Sequence, residues 1–430
     1  MPLILGCIAD DITGGTDLAL TLSASGMRVI QTLGDVDPDA APPEAVDAMV
    51  IALKIRTAPI DEAVERALAA ADTLRRWGAH QLFFKYCSTF DSTRQGNIGP
   101  IADALARHVQ ADIVPFCPAF PANGRTVFNG HLFVGRQLLS DSPMKDHPLT
   151  PMRDADLQAV LSAQSPGRRV GLVPLTAVEA GPDAIGAALG YLRGDGVGFA
   201  VVDAVFDRHL IDIGRACAEL PLLTGGSAMA LGLAGNYQAA GLLEPTPPVG
   251  DAPRAAGPIA ILSGSCSAAS REQVRRAADV VPTIHLKPDQ IASGPDALAD
   301  VIRRACAGAA KGAVVIASTD EPDAVAAAQT RFGRTDISDR VERAHGAIAR
   351  ALYESGVRTF VVAGGETSGA VADALGLTFL RVGPEIAPGV PWMIDAGGHG
   401  IRVAFKSGNF GGPDFFLDAV RSARTQDRGA

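Results

Sequence analysis

Six cysteines, Cys7, Cys87, Cys117, Cys217, Cys266 and Cys306, lie scattered along the chain with no Cys-x-x-Cys pair among them. That spacing argues against a zinc ribbon or a disulfide framework and for a reducing, cytoplasmic setting. Aromatic residues are scarce, at 5%, whereas apolar residues together reach 47%. A core poor in rings and rich in alanine, glycine and valine favours α/β layers packed closely through small residues. Positive charge is in deficit, with 38 Lys and Arg against 47 Asp and Glu, a net −9. This balance argues against a general nucleic-acid-binding surface, so an anionic ligand needs a local cluster of Lys and Arg. No apolar run is long enough to span a bilayer, and the N-terminus lacks a basic segment before its apolar run, which Asp10-Asp11 interrupts. Neither a signal peptide nor a membrane partner is expected.

What is present is length and alternation. At 430 residues the chain exceeds one ordinary core. Five prolines between Glu244 and Pro258 mark a boundary, since such a stretch fits neither a helix nor a central strand. The expected division is residues 1–243, a linker over 244–257, and a second domain over 258–425. Apolar runs at Leu3–Ala9, Ala48–Ala52, Gln81–Lys85, Ile113–Phe116, Val170–Pro174, Phe199–Val202, Ile259–Leu262, Ala313–Ala317 and Thr359–Val362 read as strands. Alanine-rich amphipathic stretches such as Asp61–Trp77, Gly99–Val109, Ser267–Asp279 and Arg340–Ser355 separate most of them. The pattern predicts an α/β protein of two domains, each with a largely parallel sheet flanked by helices. Functional residues then belong at the C-terminal ends of strands.

Two glycine-rich turns, about a hundred residues apart, carry the strongest functional signal. One follows Pro258–Leu262 as Ser263-Gly-Ser265-Cys-Ser267; the other follows Thr359–Ala363 as Gly364-Gly365-Glu366-Thr367-Ser368-Gly369. A buried strand, a turn without bulky side chains and a helix N-terminus together suit a polyphosphate. Neither turn is a G-x-x-x-x-G-K-[ST] loop, and no protein-kinase signature occurs. In the first half, Asp10-Asp11-Ile-Thr13-Gly14-Gly-Thr-Asp17 places adjacent acids at a strand end, where they are costly unless they hold a cation, a metal or a hydroxyl. The plainer reading is a helix N-cap by Asp11 or Thr13. The run Lys85 to Pro100 supplies a cation, hydroxyls including Ser88 and Thr89, and Asp91, Arg94 and Asn97; Arg56 follows another strand. Such a mixture suits a small polyhydroxylated acid. Thr224-Gly-Gly-Ser227 reads as another anion cradle or a tight helix start. Pro118 to Met152 reads as a long stiff loop, in which His131 and His147 lack metal-ligand spacing. Lys406, beside Ser407-Gly408-Asn409, reads equally as a phosphate contact or a surface lysine.

The block Ala9-Asp10-Asp11 with Thr13-Gly14 and Asp17, the Cys87-Ser-Thr-Phe-Asp-Ser block, Gly96-Asn-Ile-Gly-Pro100 and His147-Pro-Leu-Thr-Pro-Met152 resemble the four-carbon acid sugar kinases. So do Leu262-Ser-Gly-Ser-Cys-Ser267, Gly364–Gly369, Glu385-Ile-Ala-Pro-Gly-Val-Pro-Trp392 and Lys406-Ser-Gly-Asn-Phe-Gly411. The resemblance covers nearly the whole chain and is closest to the branch acting on 3-oxo-tetronates. It implies an acid-sugar-binding N-terminal domain, a nucleotide-binding C-terminal domain and phosphorylation of the 4-hydroxyl by ATP with Mg²⁺ in an interdomain cleft. Carried over by motif, the acid sugar meets Asp11, Arg56, Lys85, Ser88 and Thr89. ATP meets Ser263 or Ser265, Gly364, Gly365, Glu366, Thr367 and Gly408. Asp10, Asp11 and Asp17 are the candidates for base or metal contact, and the metal ligands and any homo-oligomeric state stay open. Kinases for D-threonate, L-threonate or erythronate, a non-catalytic sugar-acid or nucleotide sensor, and a dinucleotide-dependent oxidoreductase are the competing readings; the last lacks a G-x-G-x-x-G turn at Rossmann spacing.

Overall fold

The computed structural model describes residues 3–37, 40–43, 45–146, 150–244, 257–287, 291, 295–319, 330–331 and 334–425. Contacts divide the chain into two compact units, Met1–Pro248 and Val249–Ala430. His147 and most of the proline-rich segment lie outside the described residues.

The first unit is built on eight parallel strands. In chain order they are β1 (Leu5–Ala9), β2 (Val29–Leu33), β3 (Ala48–Ala52), β4 (Gln81–Lys85), β5 (Val114–Cys117), and, after a small separate sheet, β9 (Val170–Val173), β10 (Phe199–Val202) and β11 (Leu222–Gly225). Their spatial order is β2-β3-β1-β4-β11-β5-β10-β9. Side chains on both faces of β1 to β4 are buried, as expected of strands covered by helices on each side. Parallel pairing in register places Ala9 opposite both Ala52 and Lys85, and Gly225 opposite Lys85 and Cys117. The ends of five strands therefore meet at one edge. Tyr86, Phe90, Phe116 and Phe199 form a buried aromatic chain just beneath it, with neighbouring ring centroids 4.7–6.2 Å apart.

The stretch expected as a long loop contains a sheet instead. Strands β6 (Arg125–Phe128), β7 (His131–Val134) and β8 (Gln137–Leu138) are antiparallel, and short 3₁₀ turns follow over 139–146. Phe128 pairs with His131 across Asn129 and Gly130, both of which have positive φ. Asn-Gly in that conformation is a two-residue hairpin turn matched to strand twist. Asp203 fastens it by accepting the N–H groups of Asn129, Gly130 and Leu175 at 2.9 Å each.

The second unit has strands β12 (Ile259–Ser263), β13 (Thr283–His285), β14 (Ala313–Ala317), β15 (Thr359–Ala363), β16 (Phe379–Ala387), β17 (Val390–Asp395) and β18 (Arg402–Lys406). Their order is β13-β14-β12-β15-β18-β17-β16. The first five in that order are parallel, whereas β17 runs antiparallel to both neighbours. The motif Glu385–Trp392 is thus a hairpin, turning at Gly389 with φ +78°. One core gathers around Trp392, which packs with Val274 and Ala277 of the helix Ala268–Ala278 and with Phe415, Phe416 and Ala419 of the helix Phe415–Thr425. The helix Arg334–Glu354 packs elsewhere, against Pro295–Ala309 and Gly365–Leu375. No helix among the described residues is long and apolar enough to cross a membrane.

His345, on the helix Arg334–Glu354, is fully buried, and burial pulls its imidazole from 6.5 down to about 4. Between those values the unfolded chain binds a proton that the folded chain does not, so stability falls as pH drops. The expected loss at the bottom of the window is roughly 3 kcal/mol. Urea unfolding at pH 7 and at pH 4.5 should show a smaller loss for His345→Gln than for the natural chain; equal losses would place the acid sensitivity elsewhere.

Candidate functional site

At the strand-end edge of the first unit, β1 delivers Asp10 and Asp11 into the start of the helix Ile12–Ala24. Asp10 is 3% exposed, and a carboxylate so placed requires a partner. Arg56 supplies it in a fork, Nε and Nη2 each donating to one Asp10 oxygen at 2.8 Å. The loop carrying Arg56 is tied to the same residue, because the Asp10 carbonyl accepts the N–H groups of Ile55 and Arg56 at 3.1 and 3.2 Å. Asn97 holds that loop from the other side, its amide donating to the carbonyls of Ile55 and Ala58 at 2.7 and 2.9 Å.

Asp11 caps the helix. Its carboxylate accepts the Gly14 N–H at 2.8 Å and the Thr13 hydroxyl at 2.9 Å, and Arg56 Nη2 lies 3.0 Å away. Burial pushes its carboxyl up, but Arg56 and then Lys85 outweigh that, holding it below the usual carboxylate range. For Asp10 burial prevails over Arg56, and its carboxyl lies above the usual range. Lys85 is buried, its ammonium donating to the Tyr86 carbonyl at 2.9 Å. The loop after β4 continues through half-buried Ser88 to Thr89, whose hydroxyl donates to Asp91 at 2.6 Å. Phe90, between them, is buried with φ +49°, a left-handed conformation that a bulky residue adopts only under constraint. Arg56 Nη1 is 3.9 Å from Asp91, beyond hydrogen-bond reach. Asp17, six residues beyond Asp11 on the same helix, accepts the Ser227 hydroxyl. The Thr224–Ser227 turn is thereby occupied by internal bonds, with Thr224 bonded to Tyr86 and the Pro115 carbonyl.

The second unit gathers a different chemistry at its own strand ends. Ser263 lies in register with Ala317 and Ala363, and Ala363 with Lys406. The Ala363 carbonyl accepts the Gly264 and Ser265 N–H groups at 2.9 and 3.2 Å, and the Lys406 carbonyl accepts that of Gly364 at 2.9 Å. Three turns so stitched converge closely. A Cβ on Gly264 would overlap Thr367 Oγ1, and one on Gly408 would lie 2.5 Å from Ser265 Oγ. Gly364, at φ +116°, enters the helix Gly365–Leu375 in a conformation closed to other residues. That helix and Ala268–Ala278, which Ser267 caps, both begin at this edge with their backbone N–H groups directed toward it.

Ser265, Gly364, Gly365, Thr367 and Gly408 thus come together, with Glu366 exposed on the first helical turn. Ser263 does not join them: it is fully buried, with its hydroxyl 2.7 Å from that of Thr319. Lys406 is fully buried as well, and its ammonium donates to Ser270 Oγ at 3.2 Å and to the carbonyls of Ser407 and Gly408 at 2.9 and 2.8 Å. Burial draws this amine down to about 7. The three acceptors oppose that pull, since they match the three N–H groups of the charged form. The Gly408 carbonyl also accepts from Ser267 and Ser270, at 2.6 and 3.0 Å. Lys406 therefore shapes the turn from beneath. Sequence reasoning gave no such role to Lys406, nor the loop-holding role to Asn97, which stands where a helix cap would and makes no cap bond.

Two family models match the chain: a sugar-binding N-terminal domain over residues 5–233 and a nucleotide-binding C-terminal domain over residues 260–416. A 3-oxo-tetronate kinase of Cupriavidus necator is 49% identical over 420 residues, 97% of this chain and 96% of that protein. One of Pseudomonas fluorescens is 47% identical over 418 residues, again 97% and 96%. A crystal structure from Salmonella typhimurium LT2, which bears the name of a tRNA synthase, superposes with a TM-score of 0.84 at 39% identity, covering 96% of this chain and 98% of that one.

Replacing Gly264 with alanine should weaken nucleotide binding more than tenfold and cost about 1–3 kcal/mol of stability, as overpacking does. Adding Thr367→Ala should recover most of that stability by vacating the overlapped atom. Isothermal titration with ATP and chemical unfolding measure both; a Gly264→Ala chain that binds ATP as the natural one does would show that the turn does not receive the nucleotide.

Proposed function

The chain belongs to the four-carbon acid sugar kinase family, and from that premise we propose that it transfers the γ-phosphoryl group of ATP to the 4-hydroxyl of a 3-oxo-tetronate, giving 3-oxo-tetronate 4-phosphate and ADP. The first unit holds the acid and the second holds the nucleotide. The observation that carries this reading is the Arg56 guanidinium, braced on Asp10 and Asp11 beside Lys85 with Nη1 left beyond hydrogen-bond reach of Asp91. A guanidinium held in one plane by these two acids, with its Nη1 end not engaged by them, suits an oxygen of a substrate carboxylate. Hydroxyls of Ser88 and Thr89, on the adjoining loop, suit the polyol end.

Phosphoryl transfer asks for positioning and for neutralised phosphate charge more than for a strong base. Of the three candidate acids, Asp11 is the accessible one, its side chain 22% exposed against 4% for Asp10. We assign it to the acceptor hydroxyl, which its carboxylate orients. Asp10 braces Arg56, and Asp17 supports the edge through Ser227. The glycine cradle of the second unit receives the phosphates on backbone N–H groups. Among the described residues no group of three His, Cys, Asp or Glu side chains is placed to hold a metal ion. The described acids do not form a metal cage, and in this reading Mg²⁺ is carried by the nucleotide phosphates. Six unpaired cysteines suit a reducing cytoplasm.

Asparagine caps a helix as well as aspartate does, so Asp11→Asn removes charge without removing the cap. Its kcat should fall about 100-fold or more, with ATP affinity unchanged and a modest drop in melting temperature as the charge facing Arg56 and Lys85 is lost. A coupled ADP-release assay over oxidised and reduced four-carbon acids reads both the variant and the preference. Turnover of the variant at the natural rate would remove Asp11 from the chemistry, and a preference for threonate or erythronate would overturn the substrate assignment.

A further inference from the structure

Beside the glycine cradle, the second unit holds a polar pair that the cradle does not use. Ser318 follows the end of β14 and donates its N–H to the Ser263 carbonyl at 2.9 Å, which places it on the β14 side of β12. Its hydroxyl lies 2.8 Å from His345 Nε2. His345 is fully buried, and its other ring nitrogen, Nδ1, has no hydrogen-bond partner among the described residues. Two tautomers are available to a neutral ring. With the proton on Nδ1, a buried N–H would be orphaned; with the proton on Nε2, only a lone pair is left unfilled. Orphaned buried donors are the rarer and costlier case. The ring therefore donates from Nε2 to Ser318 Oγ, and the Ser318 O–H is released to another acceptor.

That hydroxyl faces a distinctive place in the fold. Neighbouring Ser263 and Thr319 spend their hydroxyls on each other, whereas Ser318 is half-buried. The helix leaving β12, Ala268–Ala278, packs in the core around Trp392, while the helix before β15, Arg334–Glu354, packs with Pro295–Ala309 and Gly365–Leu375. Adjacent strands whose connections leave to opposite faces open a crevice at their C-terminal ends, the usual ligand position in such sheets. The phosphate cradle lies on the β15 side of β12, through Gly264, Gly364 and Thr367. Ser318 lies on the other side, where the rest of a nucleotide would extend.

We propose that Ser318 is a nucleoside-binding residue of this kinase, donating its hydroxyl to an acceptor on the ribose or base of ATP, and that His345 is the positioning residue that aims it. This rests on the reading that the second unit binds ATP. Ser318→Ala should raise KM for ATP about tenfold, the worth of one directed hydrogen bond, with KM for the acid and kcat little changed. Inhibition by inorganic tripolyphosphate, which has no nucleoside, should be unaffected. His345→Leu should copy the ATP effect, and His345→Gln, which keeps a donor toward Ser318, should restore most of the affinity. An unchanged KM for ATP in Ser318→Ala would overturn the proposal, as would an equal loss for tripolyphosphate. Should His345→Leu fail to fold, the Ser318→Ala result and the Gln variant still decide. A natural chain that neither binds nor uses ATP would instead sink the reading on which this rests.

Discussion

A buried carboxylate organises the first unit's candidate site. Asp10 ends a central strand with almost no exposure, and leaving it unpaired would cost on the order of 3–5 kcal/mol. Arg56 removes that cost only if its guanidinium lies in one plane against both carboxylate oxygens. The backbone bonds from Ile55 and Arg56 to the Asp10 carbonyl, and the brace from Asn97, bring the loop to that position. Once the fork is placed, Asp11 falls beside it, is stabilised as an anion, and still caps its helix. One ion pair thus fixes the direction of a cation, the charge of a second acid and the start of a helix.

The second unit's candidate site is built differently, from backbone turns rather than from a charged pair. Its strand ends are in register, so the turns after β12, β15 and β18 meet at one level. They approach within distances that only glycine permits at positions 264 and 408. The Gly408 carbonyl collects two serine hydroxyls and the Lys406 ammonium, so the last turn is held from below.

Much of this was legible in the sequence. Strands Ala48–Ala52, Phe199–Val202 and Ala313–Ala317 are continuous apolar runs, and the structure gives them the limits read from the sequence. Doubly covered parallel strands announce themselves in that way. The strand Val29–Leu33 did not, because Gln31 and Thr32 interrupt it; both are buried, Gln31 by bonding Thr16 and the Ile12 carbonyl. The Asn129-Gly130 hairpin carried a clear turn signal that the surrounding prolines obscured. Within the sites, the crowding of polar types after β4 was visible, but which groups serve a ligand and which serve each other was not. Ser263 and Lys406 turned inward, and nothing local in the sequence distinguishes a hydroxyl or an ammonium that satisfies the backbone from one left for a substrate.

The depth at which Lys406 lies has a consequence for how the cradle feels its surroundings. Mobile ions screen charges they can approach, and their reach at physiological strength is about 8 Å through water. An ammonium sealed under its own turn and peptide dipoles fixed in place are shielded from that atmosphere, unlike a lysine waving at the surface. The grip of this unit on a polyanion should therefore be governed by shape and desolvation and should vary little between dilute buffer and the crowded, salty interior of a cell.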